Sequence, residues 1–116
     1  MRETDPGFWE RLSQFVKLSE IKIDRPRGTN HPRHPDCIYP LDYGYLVGMH
    51  SADGEGLDIW VGDSGVMELT GLVCSVDLEK GDAEMKILLG CSRQEMDTIV
   101  SFHNHGEQSA ILICRP

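Results

Sequence analysis

The sequence predicts a mainly β, α+β fold: a small antiparallel barrel or strongly bent sheet with one helix at the N-terminus and one near the C-terminus. Three observations lead there. Short apolar or alternating runs recur between turn signals from residue 21 to residue 114, two segments show helical spacing, and 116 residues leave room for one modest core. Hydrophobic residues make up 40% of the chain, enough for a globule. No linker, repeat or low-complexity segment divides it, so residues 1–116 are expected to form one domain.

Asp5-Pro6 reads as an N-cap followed by proline at the first helical position. Phe8, Trp9, Leu12, Phe15 and Val16 then recur at helical spacing, which predicts a helix over about 6–18. Ile21–Ile23 alternates as a strand, and the proline-rich stretch 25–36 is a loop. Ile38-Tyr39, Tyr43–Met49 and Leu57–Val61 read as strands, with Ser51–Gly56 and Gly62–Gly65 as turns. Val66–Val76 predicts a long strand broken or bulged at Gly71, and Asp77–Gly81 a turn into a strand over Ala83–Gly90. Ser92 and Glu95 stand as a capping box for a helix to about residue 105, closed by Gly106; Ala110–Cys114 is the last strand.

The net charge of −8 argues against a nucleic-acid partner, which calls for a basic face. The charge is unevenly spread. Residues 34–79 carry nine acids and no Lys or Arg, against five acids and seven bases in 1–33. Composition allows a solvated acidic surface or a carboxylate cluster that holds cations. No apolar run spans a membrane and Met1–Asp5 shows no signal-peptide pattern, so a cytoplasmic protein with no membrane partner is expected. Cys37, Cys74, Cys91 and Cys114 form no C-x-x-C, and the last three sit in apolar runs; buried free thiols fit best.

Three stretches carry candidate chemistry. In Asp53-Gly54-Glu55-Gly56-Leu57-Asp58, glycines let closely spaced acids turn toward one point, the oxygen-rich setting that Mg2+ takes; alone it is equally a solvated turn. In the hairpin from Asp77 to Lys86, Glu84 and Lys86 share a face two residues apart. In Tyr39-Pro40-Leu41-Asp42-Tyr43-Gly44-Tyr45, the tyrosines could donate to phosphate oxygens or pack.

The order of these motifs, with Ile23-Asp24-Arg25-Pro26 before them, resembles the soluble (family I) inorganic pyrophosphatases over about residues 19–90. Matching stretches are Y-P-x-N-Y-G-[FY] at Tyr39–Tyr45, D-G-D-P-x-D at Asp53–Asp58, and the later acids and lysine at Asp77, Glu84 and Lys86. The resemblance implies a closed, OB-like antiparallel β-barrel and Mg2+-dependent, two-metal hydrolysis of pyrophosphate or a related small phosphoanhydride. It implies metal ligands at Asp53, Glu55, Asp58, Asp77 and Glu84, with Asp82 as the alternative to Glu84. Catalytic roles fall on Glu55, Asp58, Lys86 and Tyr43, Glu55 taking the proton of the attacking water. Substrate contacts fall on Asp24, Arg33, Tyr43 and Lys86, with Arg27 as a further cation. It also implies a homo-oligomer, for which the Phe8–Trp9 helix is a candidate contact.

The chain departs from that pattern. Glu55 and Gly56 replace the signature's Asp and Pro, and Asp42 its Asn; the loop before Tyr39 is short and lacks the phosphate-binding arginine; Phe102–Gly106 stands where a tyrosine-lysine pair is expected. The alternative function is therefore a catalytically impaired module that binds metal, a phosphate-bearing ligand or a partner. The letters H-N-H at 103–105 lack a nuclease setting in an acidic chain, but His103 and His105 are candidates to replace the missing pair. His31 and His34 sit among prolines that bar a helix, so a solvated or phosphate-facing loop is expected, not a zinc site.

Overall fold

A computed structural model of the protein describes residues 6–50, 54 and 56–116. Its first element, α1 (Pro6–Leu18), buries Trp9, Leu12 and Val16 along one stripe, as the apolar spacing predicts. The cap expected at Asp5 lies outside the described residues. There follow β1 (Glu20–Arg25), β2 (Asp42–His50), β3 (Gly56–Val61), β4 (Leu69–Asp77), β5 (Asp82–Leu89), α2 (Arg93–Phe102) and β6 (Gln108–Cys114).

The strands form one sheet in the order β1-β2-β3-β5-β4-β6. Among the described residues β1 and β6 are edges with a single neighbour each, so the sheet is open and the expected closed barrel is corrected. Nor is it wholly antiparallel: β3 and β5 run parallel. The cause is the hairpin after β4. It turns β5 back between β4 and β3, so residues 62–81 act as the crossover that a parallel pair requires. Ile59–Val61 and Lys86–Leu89 are consequently buried on both faces, as parallel strands usually are.

Side-chain alternation divides the core in two. Leu46, Leu57, Ile59, Val61, Leu72, Ile87 and Leu89 face α1. Tyr39, Leu41, Trp60, Val73 and Leu88 face the other way, toward Met96 and Ile99 of α2. Helix α1 touches both β1 and β4, so a helix covers the first face where a closed barrel would have used strands.

Local differences from the expected elements have local causes. Strand β4 starts at Leu69, not Val66, because residues 66–68 wrap closely past Gly90. Gly90 has φ +59°, and a Cβ there would lie 2.1 Å from the Val66 carbonyl oxygen. The bulge expected at Gly71 is present as a register shift between Leu69 and Gly71. Ser92 and Glu95 form the complete capping box. Helix α2 ends at Phe102, short of 105, because Asn104 Nδ2 donates to the Val100 and Ala110 carbonyls and holds the chain in a turn. All four cysteines are free; Cys91 is buried, but Cys114 is exposed on edge strand β6, against expectation. Trp9 is only 2% exposed and belongs to the core, so it offers no contact surface; Phe8 is 40% exposed. Among the described residues no helix is long and apolar enough to cross a membrane.

Candidate functional site

The α2 face of the sheet changes character along its length. Near α2 it is an aromatic cluster: Trp60 lies 4.8 Å from the Tyr43 ring, 5.7 Å from Tyr39, 5.3 Å from Phe102 and 5.6 Å from His103, centroid to centroid. Further along the same strands the side chains become charged. Tyr45 pairs with Asp58 across β2 and β3. Ile59 pairs with Ile87 in parallel register, which sets Asp58 beside Lys86. Glu84 lies two residues before Lys86 on the same face.

These side chains meet at Lys86, which is 4% exposed. Its Nζ donates to Asp58 Oδ2 at 2.9 Å and to Glu84 Oε2 at 2.5 Å. The Tyr43 hydroxyl donates to the same Asp58 oxygen at 2.7 Å, and Nζ lies 5.6 Å from the Tyr43 ring centroid. Burial by itself disfavours the ammonium. The Tyr43 oxygen, Asp58 and Glu84 more than offset this, so Lys86 is held above its ordinary pKa and stays charged. Burial drives Tyr43 strongly upward, so its phenol stays protonated and acts as a donor.

Behind them, Trp60 Nε1 donates to His103 Nε2 at 3.0 Å. The proton of a neutral His103 is therefore on Nδ1, which is buried and has no hydrogen-bond partner among the described residues; Gln108 faces the ring without closing one. Burial first, then Lys86 and His105, push His103 down to about 3, so it is neutral at pH 7.

The charged group forms the floor of a cavity of about 440 Å³. Its walls collect Asp24, Arg33, Tyr43, Asp58, Asp77, Glu84 and Lys86, the expected site residues among those described. Asp53 and Glu55 lie outside the described residues. Asp82 is exposed and off the cavity wall, which separates it from Glu84. Arg27 pairs with Asp63 at 2.7 Å and is likewise off the wall. Asp77 Oδ1 accepts the Glu79 and Lys80 amides, so one of its oxygens already shapes the β4–β5 turn.

Sequence reasoning missed Arg25, Lys80 and Glu107, which also line the cavity. Arg25 follows a bulge between Ile23 and Arg25, so simple alternation does not place it. Lys80 and Glu107 stand in turns, where no periodicity speaks. His31, His34, His103 and His105 line the cavity as well, joining the proline loop to the turn after α2.

Carboxylate oxygens at Asp58, Asp77 and Glu84 have the donor chemistry of a Mg2+ site. Among the described residues, however, no three ligating side chains are grouped to hold a metal ion, and Lys86 already engages two of these acids. The described residues do not make a metal centre by themselves.

No family model and no curated protein matches the sequence. The structure resembles an inorganic pyrophosphatase from Coxiella burnetii, with TM-score 0.54 and 17% identity over 79% of this chain and 81% of that one. It also resembles an inorganic phosphatase from Anaplasma phagocytophilum, with TM-score 0.53 and 16% identity over 81% of each chain. At these identities the likeness establishes a pyrophosphatase-like fold.

Proposed function

We propose that the protein hydrolyses inorganic pyrophosphate, or a related small phosphoanhydride, to phosphate. The observation that carries this reading is the Tyr43–Asp58–Lys86–Glu84 group, set on adjacent strands and opening onto one cavity. The fold likeness supports it. Lys86 and Tyr43 would donate to phosphate oxygens, with Arg33 and Asp24 at the cavity wall ordering the substrate. Glu55 would accept the proton of the attacking water; that role rests on the sequence resemblance. Mg2+ dependence, with Asp53, Glu55, Asp58, Asp77 and Glu84 as ligands, is part of the same proposal, and the ion would supply neutralisation of phosphate charge. A homo-oligomeric, cytoplasmic enzyme of one domain completes it.

A second reading has its own observation. Lys86 engages both Asp58 and Glu84 without any ion, which suits a module that binds a phosphate-bearing ligand without turning it over. Phosphate release with Mg2+ from pyrophosphate, tripolyphosphate and nucleoside di- and triphosphates separates the two. Release from pyrophosphate is expected. No release from any of them by a folded protein would overturn hydrolysis and leave the binding module, for which calorimetry would show ligand binding without turnover.

A further inference from the structure

Lys86 holds two acids that the proposed chemistry assigns to a divalent ion. It is buried in β5, between β3 and β4, and its Nζ donates to Asp58 Oδ2 and Glu84 Oε2. The Tyr43 ring lies against the ammonium, and its hydroxyl donates to the same Asp58 oxygen. Those two oxygens therefore face two claimants of the same sign. An ion bonded to either oxygen would stand beside a fixed ammonium, and like charges so close repel strongly where little water intervenes. The rest of the wall offers no substitute. Asp77 Oδ1 is engaged by the Glu79 and Lys80 amides, and no three ligating side chains are grouped among the described residues. Lys86 does not leave its acids unaided, because a buried ammonium without partners is costly. It needs another anion to receive it, and the acids lie at the floor of a cavity of about 440 Å³, with room for one. Phosphate oxygens accept from an ammonium as carboxylates do, so Lys86 can exchange one anion for the other without losing hydrogen bonds.

We propose that Lys86 competes with the divalent ion for Asp58 and Glu84, and that a phosphate-bearing ligand relieves the competition by drawing the ammonium off both acids. The inference rests on reading the cavity as a phosphate-handling site, and it adds a regulation of that site. Metal alone binds weakly, metal and phosphate strengthen each other, and the coupling is equal in both directions. Once Lys86 turns to the ligand, Asp58 and Glu84 lack a cation; their side chains are 30% and 35% exposed, so both are open to one. Direct contact between metal and phosphate would also couple the two, but that contact survives removal of the lysine. The part of the coupling that Lys86 carries does not.

Mn2+ is the probe, its binding read by calorimetry and by loss of the free-ion electron paramagnetic resonance signal. Without phosphate, Lys86→Met should bind Mn2+ about tenfold more tightly than the wild type, the scale of one charge-assisted contact. Lys80 lines the same cavity and makes no ion pair among the described residues, so Lys80→Met should change the affinity less than about threefold. Adding Asp58→Asn should abolish the gain from Lys86→Met. Inorganic phosphate should tighten Mn2+ binding about tenfold in the wild type and clearly less in Lys86→Met. Lys86→Gln keeps a donor and drops the charge, and it repeats the comparison if Lys86→Met does not fold. Mn2+ binding no tighter in the Lys86 variant than in the wild type, an equal gain from Lys80→Met, or the same phosphate coupling with and without Lys86 would overturn the competition. The result is separable from hydrolysis. The expected Mn2+ pattern without phosphate release from any substrate would sink the proposed reaction alone; phosphate release with Mg2+ but no gain in the Lys86 variant would sink the competition alone.

Discussion

The two faces of the sheet are built from the same strands and do opposite things. Under α1, alternate residues are uniformly apolar, and Trp9, Leu12 and Val16 seal them. Under α2, the intervening residues begin as an apolar and aromatic cluster and end as Asp58, Glu84 and Lys86. The first face carries stability with no exposed chemistry. The second gives up apolar burial at its far end and keeps a buried cation held by two part-exposed acids. A charge pair of this kind adds little net stability but is costly to break. The division of labour therefore predicts that perturbing the α1 face destabilises more, and perturbing the cavity floor disables more.

The largest effect on stability should come from Trp9→Ala. It empties the centre of the α1 contact and should cost about 3–5 kcal/mol by urea unfolding, while the folded fraction keeps its ligand affinity. A loss below about 1 kcal/mol would break the comparison, because α1 would not then be anchoring its face.

Lys86→Met comes next. It keeps the side chain's length and leaves Asp58 and Glu84 without their cation. Those acids are 30% and 35% exposed, so the cost should be about 2 kcal/mol, below the range for fully buried pairs, and turnover should be lost. The pH sense follows from the raised pKa of Lys86: its contribution is intact below 10.5, the ordinary value, and fades only at more alkaline pH.

A third effect, absent at neutral pH and visible only on acidification, sharpens the boundary between the aromatic and charged parts of the α2 face. His103 is pushed from 6.5 down to about 3, so on acidification the unfolded chain takes up a proton that the folded chain refuses. Stability should fall as pH drops from 6.5 toward 3, by up to about 1.4 kcal/mol per pH unit from this group. His103→Gln can still accept from Trp60 and should lose this part of the slope in urea titrations. An unchanged slope would mean that His103 is protonated in the folded state.

Residue periodicity exposed much of this. The capping box at Ser92, the α1 stripe and the shared face of Glu84 and Lys86 are local patterns, and each stands in the structure. The adjacency of Asp58 and Lys86 is different in kind. It depends on β5 entering between β3 and β4, a pairing of distant segments that no local period encodes, and the same insertion is what departs from an antiparallel barrel. The loop wall of the cavity is less legible still. Loop residues 26–41 have no period, so the sequence places His31 and His34 only in a solvated or phosphate-facing loop; tertiary packing sets them across from the turn after α2. The acidic excess in residues 34–79 thus divides: Asp58 and Asp77 line the cavity, whereas Asp63 pairs with Arg27 on the surface.

The most direct test of the account is the rate of phosphate release from pyrophosphate with Mg2+, measured for the wild type and for Asp58→Asn at equal folded concentration. Asp58 is the oxygen on which Tyr43 and Lys86 converge. The account predicts turnover by the wild type and a loss of about 100-fold or more in the variant, the penalty expected when reacting groups are misplaced. Equal rates in the two proteins, or no release by a folded wild type, would contradict it.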